Sequence, residues 1–246
     1  MASLPPGTCC LEGFVHNGTP TGSIVQDADS GIEYYIAKPA VDSNKVIIYL
    51  TDIFGLRLVN HQLIADNFAR QGFLAVIPNL FANDPIPFPR PTDFDFGAWR
   101  ARHTVEIVQP IVQAAYEYVQ NQFSNVDKFF SVGYCFGAKY VVKLLGEGKL
   151  NAGYLAHPSF VTEDELRNIK APISIAAAET DAIFTVELRK KSEEILKELK
   201  AQYVITLYSG VAHGFASRGE LKDELSIWSQ EAAFYQAVQW FNRFSK

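Results

Sequence analysis

The sequence predicts an open α/β sheet with helices on both faces, built as one domain over residues 1–246. Three observations carry this expectation. Short apolar runs of β-forming residues recur along the chain without polar alternation, as in strands buried on both faces of a parallel sheet. Segments with helical spacing lie between those runs, so that strands and helices take turns. The 246 residues are 48% hydrophobic and 20% charged, enough for a sizeable core and incompatible with disorder over most of the length.

Taken in order, residues 32–37 read as a strand, antiparallel and at an edge of the sheet. The run Val46-Ile47-Ile48-Tyr49-Leu50 reads as a buried strand, and 60–71 as a helix carrying Leu63, Ile64 and Phe68 on one face. Residues 74–77 form the next strand. The stretch 83–96 breaks the alternation, because Pro85, Pro87, Pro89 and Pro91 forbid a helix or an interior strand. It is a surface connection, or a stiff loop at the mouth of a site with Phe88, Phe94, Phe96 and Trp99 as its apolar wall. A helix over 103–122, a strand over 129–132 and an amphipathic segment over 139–145 follow. The chain closes with strands at 172–178 and 203–208 and helices at 185–199 and 227–244.

Composition narrows the function. Lys plus Arg is 22 against 27 for Asp plus Glu, and a net charge of −5 without a basic run argues against nucleic acid as partner. Three cysteines, Cys9, Cys10 and Cys135, do not make a disulfide framework and suit a reducing compartment, so a cytosolic location is expected, with the nucleus also open. The start lacks a signal-peptide pattern, and the longest apolar region, around 46–59, is broken by Asp52 and Arg57, so no membrane association is expected. No metal-ligand spacing, P-loop or dinucleotide fingerprint occurs, so neither a metal nor a cofactor is expected.

The most informative stretch is Gly133-Tyr134-Cys135-Phe136-Gly137, between a strand and a helical segment. This is the layout of a nucleophile elbow with Cys in the nucleophile position. A tight turn with strained backbone needs small residues two before and two after the nucleophile, and it sets the thiol at a helix N-terminus that favours the thiolate. A buried cysteine between two packing glycines is the plainer explanation. The remainder of the chain favours catalysis. Asp181 follows the strand 172–178 and His213 follows the strand 203–208, in the order nucleophile, acid, base. Glu179 is the rival acid. His16, His61, His103 and His157 precede the nucleophile or lack a loop position after a strand.

These pieces together resemble the dienelactone hydrolase (carboxymethylenebutenolidase) family. The resemblance rests on Gly133 to Ala138, on Glu179-Thr180-Asp181, on Ala212-His213-Gly214-Phe215 and on Thr51-Asp52-Ile53-Phe54-Gly55-Leu56. Cys9-Cys10 with Gly13, His16, Gly18, Thr19, Pro20 and Gly22 resembles the fungal branch. The resemblance implies an α/β-hydrolase fold, with Cys135 as nucleophile, His213 as base and Asp181 as its orienter. It implies an oxyanion hole from the backbone N–H groups of Ile53 and Phe136. Asp52 matches the acidic residue that governs ionisation of the cysteine, one methylene shorter than the Glu of bacterial members. Arg218 approximates the bacterial arginine that binds a substrate carboxylate, with Arg57, Arg100 and Arg102 as the next choices. Tyr134 and Trp99 are expected to touch substrate. The reaction implied is hydrolysis of a small lactone or ester, with an anionic substrate open, through a thioester. Another acyl substrate, such as a thioester, or a non-catalytic binding role on the same scaffold are the competing readings.

Overall fold

Residues 45–50 illustrate why the apolar runs do not alternate. In the computed structural model, Val46, Ile48 and Leu50 pack into one core cluster and Ile47 and Tyr49 into another on the opposite face. Successive strand side chains point to opposite faces, and here both faces are covered. All residues except Asn83 are described, and the side chains of Thr8 and Cys9 lie outside that description.

After a 3-10 turn at Thr8–Leu11, the chain runs β1 (Ser23–Gln26), β2 (Glu33–Ala37), β3 (Lys45–Leu50), α1 (Val59–Arg70), β4 (Leu74–Pro78), α2 (Phe96–Arg102), α3 (Val105–Gln122), β5 (Lys128–Tyr134) and α4 (Gly137–Glu147). It continues β6 (Ala152–Ala156), α5 (Glu163–Arg167), β7 (Ile173–Thr180), α6 (Val186–Glu198), β8 (Tyr203–Ala212), α7 (Phe215–Arg218) and α8 (Glu224–Arg243). The strands form one eight-stranded sheet in the order β1-β2-β4-β3-β5-β6-β7-β8. Strands β3 to β8 are mutually parallel where they pair, and β1 and β2 are antiparallel to their neighbours. Helices α1 and α8 cover one face with Phe68, Ala237 and Phe241, while α3, α4 and α6 cover the other with Val112, Val141 and Ile195. No described helix is long and apolar enough to cross a membrane.

Three points in the expected fold need correction. The strand at 33–37 is antiparallel but not at the edge, because β1 pairs with its outer side from Ser23↔Ile36 to Gln26↔Glu33. An edge strand needs no apolar run, and Ser-Ile-Val-Gln carries none. The strand β6 is not expected from the sequence, because Ala152-Gly153-Tyr154-Leu155-Ala156 is rich in small residues. Those residues are required: a Cβ at Gly153 would stand 2.8 Å from Val141 and Leu145 side chains of α4. At the end of the stretch 83–96 and beyond it, residues 96–102 form a helix, α2, that no expectation covered, opened by the Asp95 carboxylate accepting from the Ala98 N–H at 2.9 Å. Asn83, at the start of that loop, lies outside the described residues.

The topology also locates a crevice. The chain passes from β3 to β4 on one side, then returns to place β5 on the other side of β3. Parallel sheets bind ligands outside the carboxyl ends of the strands where the direction of winding reverses. Here those ends release Thr51-Asp52-Ile53 from β3 and Cys135 from β5.

Candidate active site

Cys135 sits directly after β5 with φ of 49°, a left-handed conformation costly for a residue with a side chain. Backbone bonds hold it there: its N–H donates to the Ala156 carbonyl at 3.1 Å, and its own carbonyl accepts from Ala138 and Ser159 N–H at 3.2 and 3.1 Å. The glycines flanking it leave room for the turn. A Cβ at Gly133 would lie 2.6 Å from the Ala138 Cα, and one at Gly137 would strike the Leu50 carbonyl. Gly137→Ala is therefore expected to sharply reduce soluble yield and thermal stability. Gly146→Ala, in the same helix with its nearest neighbour at 3.5 Å, is expected to be tolerated.

His213 follows β8 and reaches the elbow from the neighbouring loops. Its Nδ1–H donates to Asp181 Oδ2 at 2.9 Å, and Asp181 Oδ1 accepts from the Ile183 and Phe184 N–H groups at 2.8 and 2.9 Å. A carboxylate only accepts, so this contact fixes the ring orientation and leaves Nε2 facing the sulfurs. Glu179, the rival acid, is exposed and accepts from the Gly210 N–H instead.

A residue with no assigned role joins this group. Cys10 Sγ lies 3.3 Å from Cys135 Sγ and 3.4 Å from His213 Nε2. The three ligand atoms all fall within 4.8 Å of one another, a set able to hold a soft metal ion. Spacing rules for metal motifs miss it because Cys10 stands 125 residues from Cys135 and 203 from His213. Cys9, its neighbour in sequence, lies outside the described side chains.

Burial by itself would push the Cys135 thiol up, but the Cys10 contact, the charge on His213 and the charge on Arg218 outweigh it and hold the thiol well below its ordinary range. Burial would likewise lower His213, but the Cys135 thiolate and the Asp181 carboxylate raise it to about 10. The two shifts agree on a thiolate–imidazolium pair. The alkylation rate of Cys135 by iodoacetamide is accordingly expected to stay flat between about pH 6 and 8. An ordinary thiol, titrating near 8.5, gains about tenfold per pH unit there. A Cys135 profile that climbs like that of a free peptide thiol would contradict the pair.

Beside the thiolate lies a buried charge cluster. Asp52 accepts from His61 Nε2 at 2.8 Å, the Phe54 N–H at 3.0 Å, Ser217 Oγ at 3.0 Å and Arg218 Nη1 at 2.7 Å. Its carboxyl is held far below the usual range because the His61 and Arg218 charges and these hydrogen bonds outweigh its burial. Among the described residues no hydrogen bond joins Asp52 to Cys135; Asp52 pairs instead with Arg218, whose charge lowers the thiol. Arg218 itself is not an open clamp. Its Nη1 is taken by Asp52 and its Nε by the Glu12 carbonyl at 2.8 Å, and the side chain is 1% exposed. Its Nη2 has no partner among the described residues. Arg57 pairs with Glu33 and Arg102 with Asp84, both at the surface.

The other expected residues separate cleanly. Ile53 follows β3 and Phe136 follows Cys135, and among the described residues no acceptor occupies either N–H. The proline-rich loop braces the first of these, since the Ile86 N–H donates to the Ile53 carbonyl at 3.0 Å and Phe88 packs edge-on against Phe54. Trp99 is fully buried, donating to the Asp84 carbonyl at 2.7 Å and packed against Phe81 and Phe136, so it supports the site rather than lining it. Tyr134 precedes Cys135 at the end of β5 and so points to the opposite face, where it stacks on Tyr49. His157 follows β6, whose end is the apolar run Tyr154-Leu155-Ala156; its ring packs edge-on to His213 at 4.9 Å, and burial keeps it neutral. His16, His61 and His103 are held by the Gly219 carbonyl, by Tyr49 and Asp52, and by the Trp99 carbonyl respectively. A cleft of about 260 Å³ opens beside His213 and Arg218, bordered by Glu12, Phe14, Phe215 and Lys222.

Comparison with known proteins identifies the family. The model of the dienelactone hydrolase family matches residues 32–245. The chain belongs to the dienelactone hydrolase family. It is 44% identical to the hydrolase tropI of Talaromyces stipitatus, covering 100% of this chain and 99% of that one. It is 35% identical to dienlactone hydrolase 1 of Gibberella moniliformis, over 98% and 95% of the two chains. Among solved structures, a dienelactone hydrolase-like promiscuous phosphotriesterase from metagenomic libraries shares the fold, with a TM-score of 0.72 at 17% identity over 92% of this chain and 99% of that one. Membership of the dienelactone hydrolase family makes this protein a hydrolase with the α/β-hydrolase fold.

Proposed function

We propose that the protein hydrolyses small lactones or esters with Cys135 as nucleophile, His213 as general base and acid, and Asp181 as the group that orients His213. The observation that supports this most directly is the file from Asp181 Oδ2 to His213 Nδ1 at 2.9 Å, with Nε2 turned toward the sulfurs at the crossover of β3 and β5. The thiolate attacks the carbonyl carbon, and the oxyanion takes the N–H groups of Ile53 and Phe136, each such donor contributing about 3 kcal/mol in comparable sites. Collapse expels the alkoxide or enolate, which takes its proton from His213 and leaves a thioester on Cys135. His213 then removes a proton from water, and hydroxide attack on the thioester releases the acid and restores the thiolate. A thiolate suits an activated ester with a stable leaving group better than an amide. Arg218 and Lys222 both border the cleft, and this positive charge favours lactones carrying a carboxylate over their methyl esters.

The test is acid quenching during turnover of a lactone and aryl-ester panel, followed by mass spectrometry of peptides. The expected result is a mass increase equal to the acyl group on the peptide that contains Cys135. Turnover without any adduct there, together with full activity after Cys135 is alkylated, would refute the assignment.

A further inference from the structure

We propose that Cys10, Cys135 and His213 form a binding site for one thiophilic divalent cation, Zn²⁺ or Cd²⁺, that closes the amino-terminal segment over the site. The argument begins with geometry. Tetrahedral zinc, with Zn–S near 2.3 Å and Zn–N near 2.0–2.1 Å, sets S···S at about 3.8 Å and S···N at about 3.5 Å. The structure holds Cys10 Sγ at 3.3 Å from Cys135 Sγ and 3.4 Å from His213 Nε2, so these two separations need an adjustment of about half an ångström or less. All three ligand atoms lie within 4.8 Å of one another.

Two further observations point the same way. The donor set, two sulfurs and one imidazole, selects soft ions over Mg²⁺ or Ca²⁺. And His213 already has the partner that metal-bound histidines need: Nδ1–H donates to Asp181, which is itself fixed by two backbone N–H groups, so Nε2 is presented in one orientation. The turn Thr8–Leu11 carries Cys10 between two tethers. On one side the Ala2 and Ser3 N–H groups donate to the Val161 carbonyl at 2.9 Å, and on the other the Phe14 N–H donates to the Arg218 carbonyl at 2.9 Å. A metal bridging Cys10 to Cys135 therefore clamps a segment that is already anchored. The Cys10 thiol and the His213 imidazolium each release one proton, Cys135 binds as the thiolate it already is, the metal takes the three lone pairs, and no electron is transferred. The ion occupies the atoms that the proposed chemistry uses, so the loaded protein is inactive.

The inference does not depend on Cys135 being the nucleophile, and its test is separate. The whole chain, kept reduced with a non-thiol phosphine, is titrated with Cd²⁺ while the thiolate-to-cadmium charge-transfer absorption is followed. One Cd²⁺ per chain, displaced by Zn²⁺, and protection of Cys135 from iodoacetamide by Zn²⁺ are expected. Cys10→Ala should weaken Cd²⁺ binding at least 100-fold, with the circular dichroism spectrum confirming the fold. If Cys10→Ala does not fold, Asp181→Asn serves in its place: it should weaken binding about 10–100-fold and retain the absorption band. An unchanged Cd²⁺ affinity in Cys10→Ala, or in Asp181→Asn where that serves instead, overturns the proposal, as does alkylation of Cys135 unaffected by Zn²⁺. Loss of hydrolysis in Cys135→Ala bears only on the catalytic reading.

Discussion

Replacing Cys135 by alanine is expected to lower kcat for any ester or lactone the protein turns over by about 10⁴-fold or more, with the fold intact. The physical ground is that the thiolate supplies the electron pair that forms the acyl bond, and the other groups assist only that step. With Cys135 gone, Ile53 and Phe136 can still polarise a carbonyl and His213 can still activate water, which accounts for residual hydrolysis. The fold should survive because the turn is held through the backbone of residue 135, by Ala156, Ala138 and Ser159, and alanine retains all three bonds. Thermal unfolding and steady-state kinetics on the same preparation decide the matter. Activity within tenfold of the parent would remove Cys135 from the chemistry. Cys135→Ser is expected to be a poor rescue, because the site stabilises a thiolate and a serine hydroxyl needs a stronger base.

The largest effect on stability is expected from Arg218→Met. Arg218 and Asp52 are 1% and 0% exposed and lie 2.7 Å apart. Removing one member of a buried ion pair strands the other, a loss of about 3–5 kcal/mol. For a chain of this size that lowers Tm by about 6–20 °C. Methionine keeps most of the volume, so the loss reports charge rather than a cavity. The double variant Asp52→Asn with Arg218→Met should recover a substantial part, since no buried charge then lacks its partner. Equal losses in the single and double variants would show that Arg218 acts through packing alone. In sequence these two residues suggest separate tasks, one on the ionisation of Cys135 and one on the substrate. Their pairing across 166 positions is a tertiary fact.

The legible parts of the fold were those where burial writes itself into composition. The strands β3, β4, β5 and β7 and the helices α1, α3, α6 and α8 each fall within a few residues of the segments read from apolar pattern. The parts that stayed hidden are equally specific. The strand β1 lies at the edge and needs no apolar run, and β6 must be small because α4 approaches it closely. The short helix α2 depends on the Asp95 cap inside a segment dominated by prolines.

For the site, the sequence by itself determined the elbow and the order of its partners. Gly133, Cys135 and Gly137 are fixed by local sterics, and Asp181 and His213 by their place after strands, so local chemistry was enough to single them out as candidates. Tertiary structure alone decided what surrounds them. It chose Asp181 over Glu179, because Glu179 turns outward to Gly210 while Asp181 points at the imidazole. It turned Tyr134 away from the site, since adjacent strand residues face opposite sides of a sheet. It joined Arg218 to Asp52 and set Cys10 beside Cys135 and His213. Local patterns encode which segments are buried and which turns are tight. Pairings between residues more than a hundred positions apart depend on how a sheet of eight strands brings loops together, and no single segment carries that information.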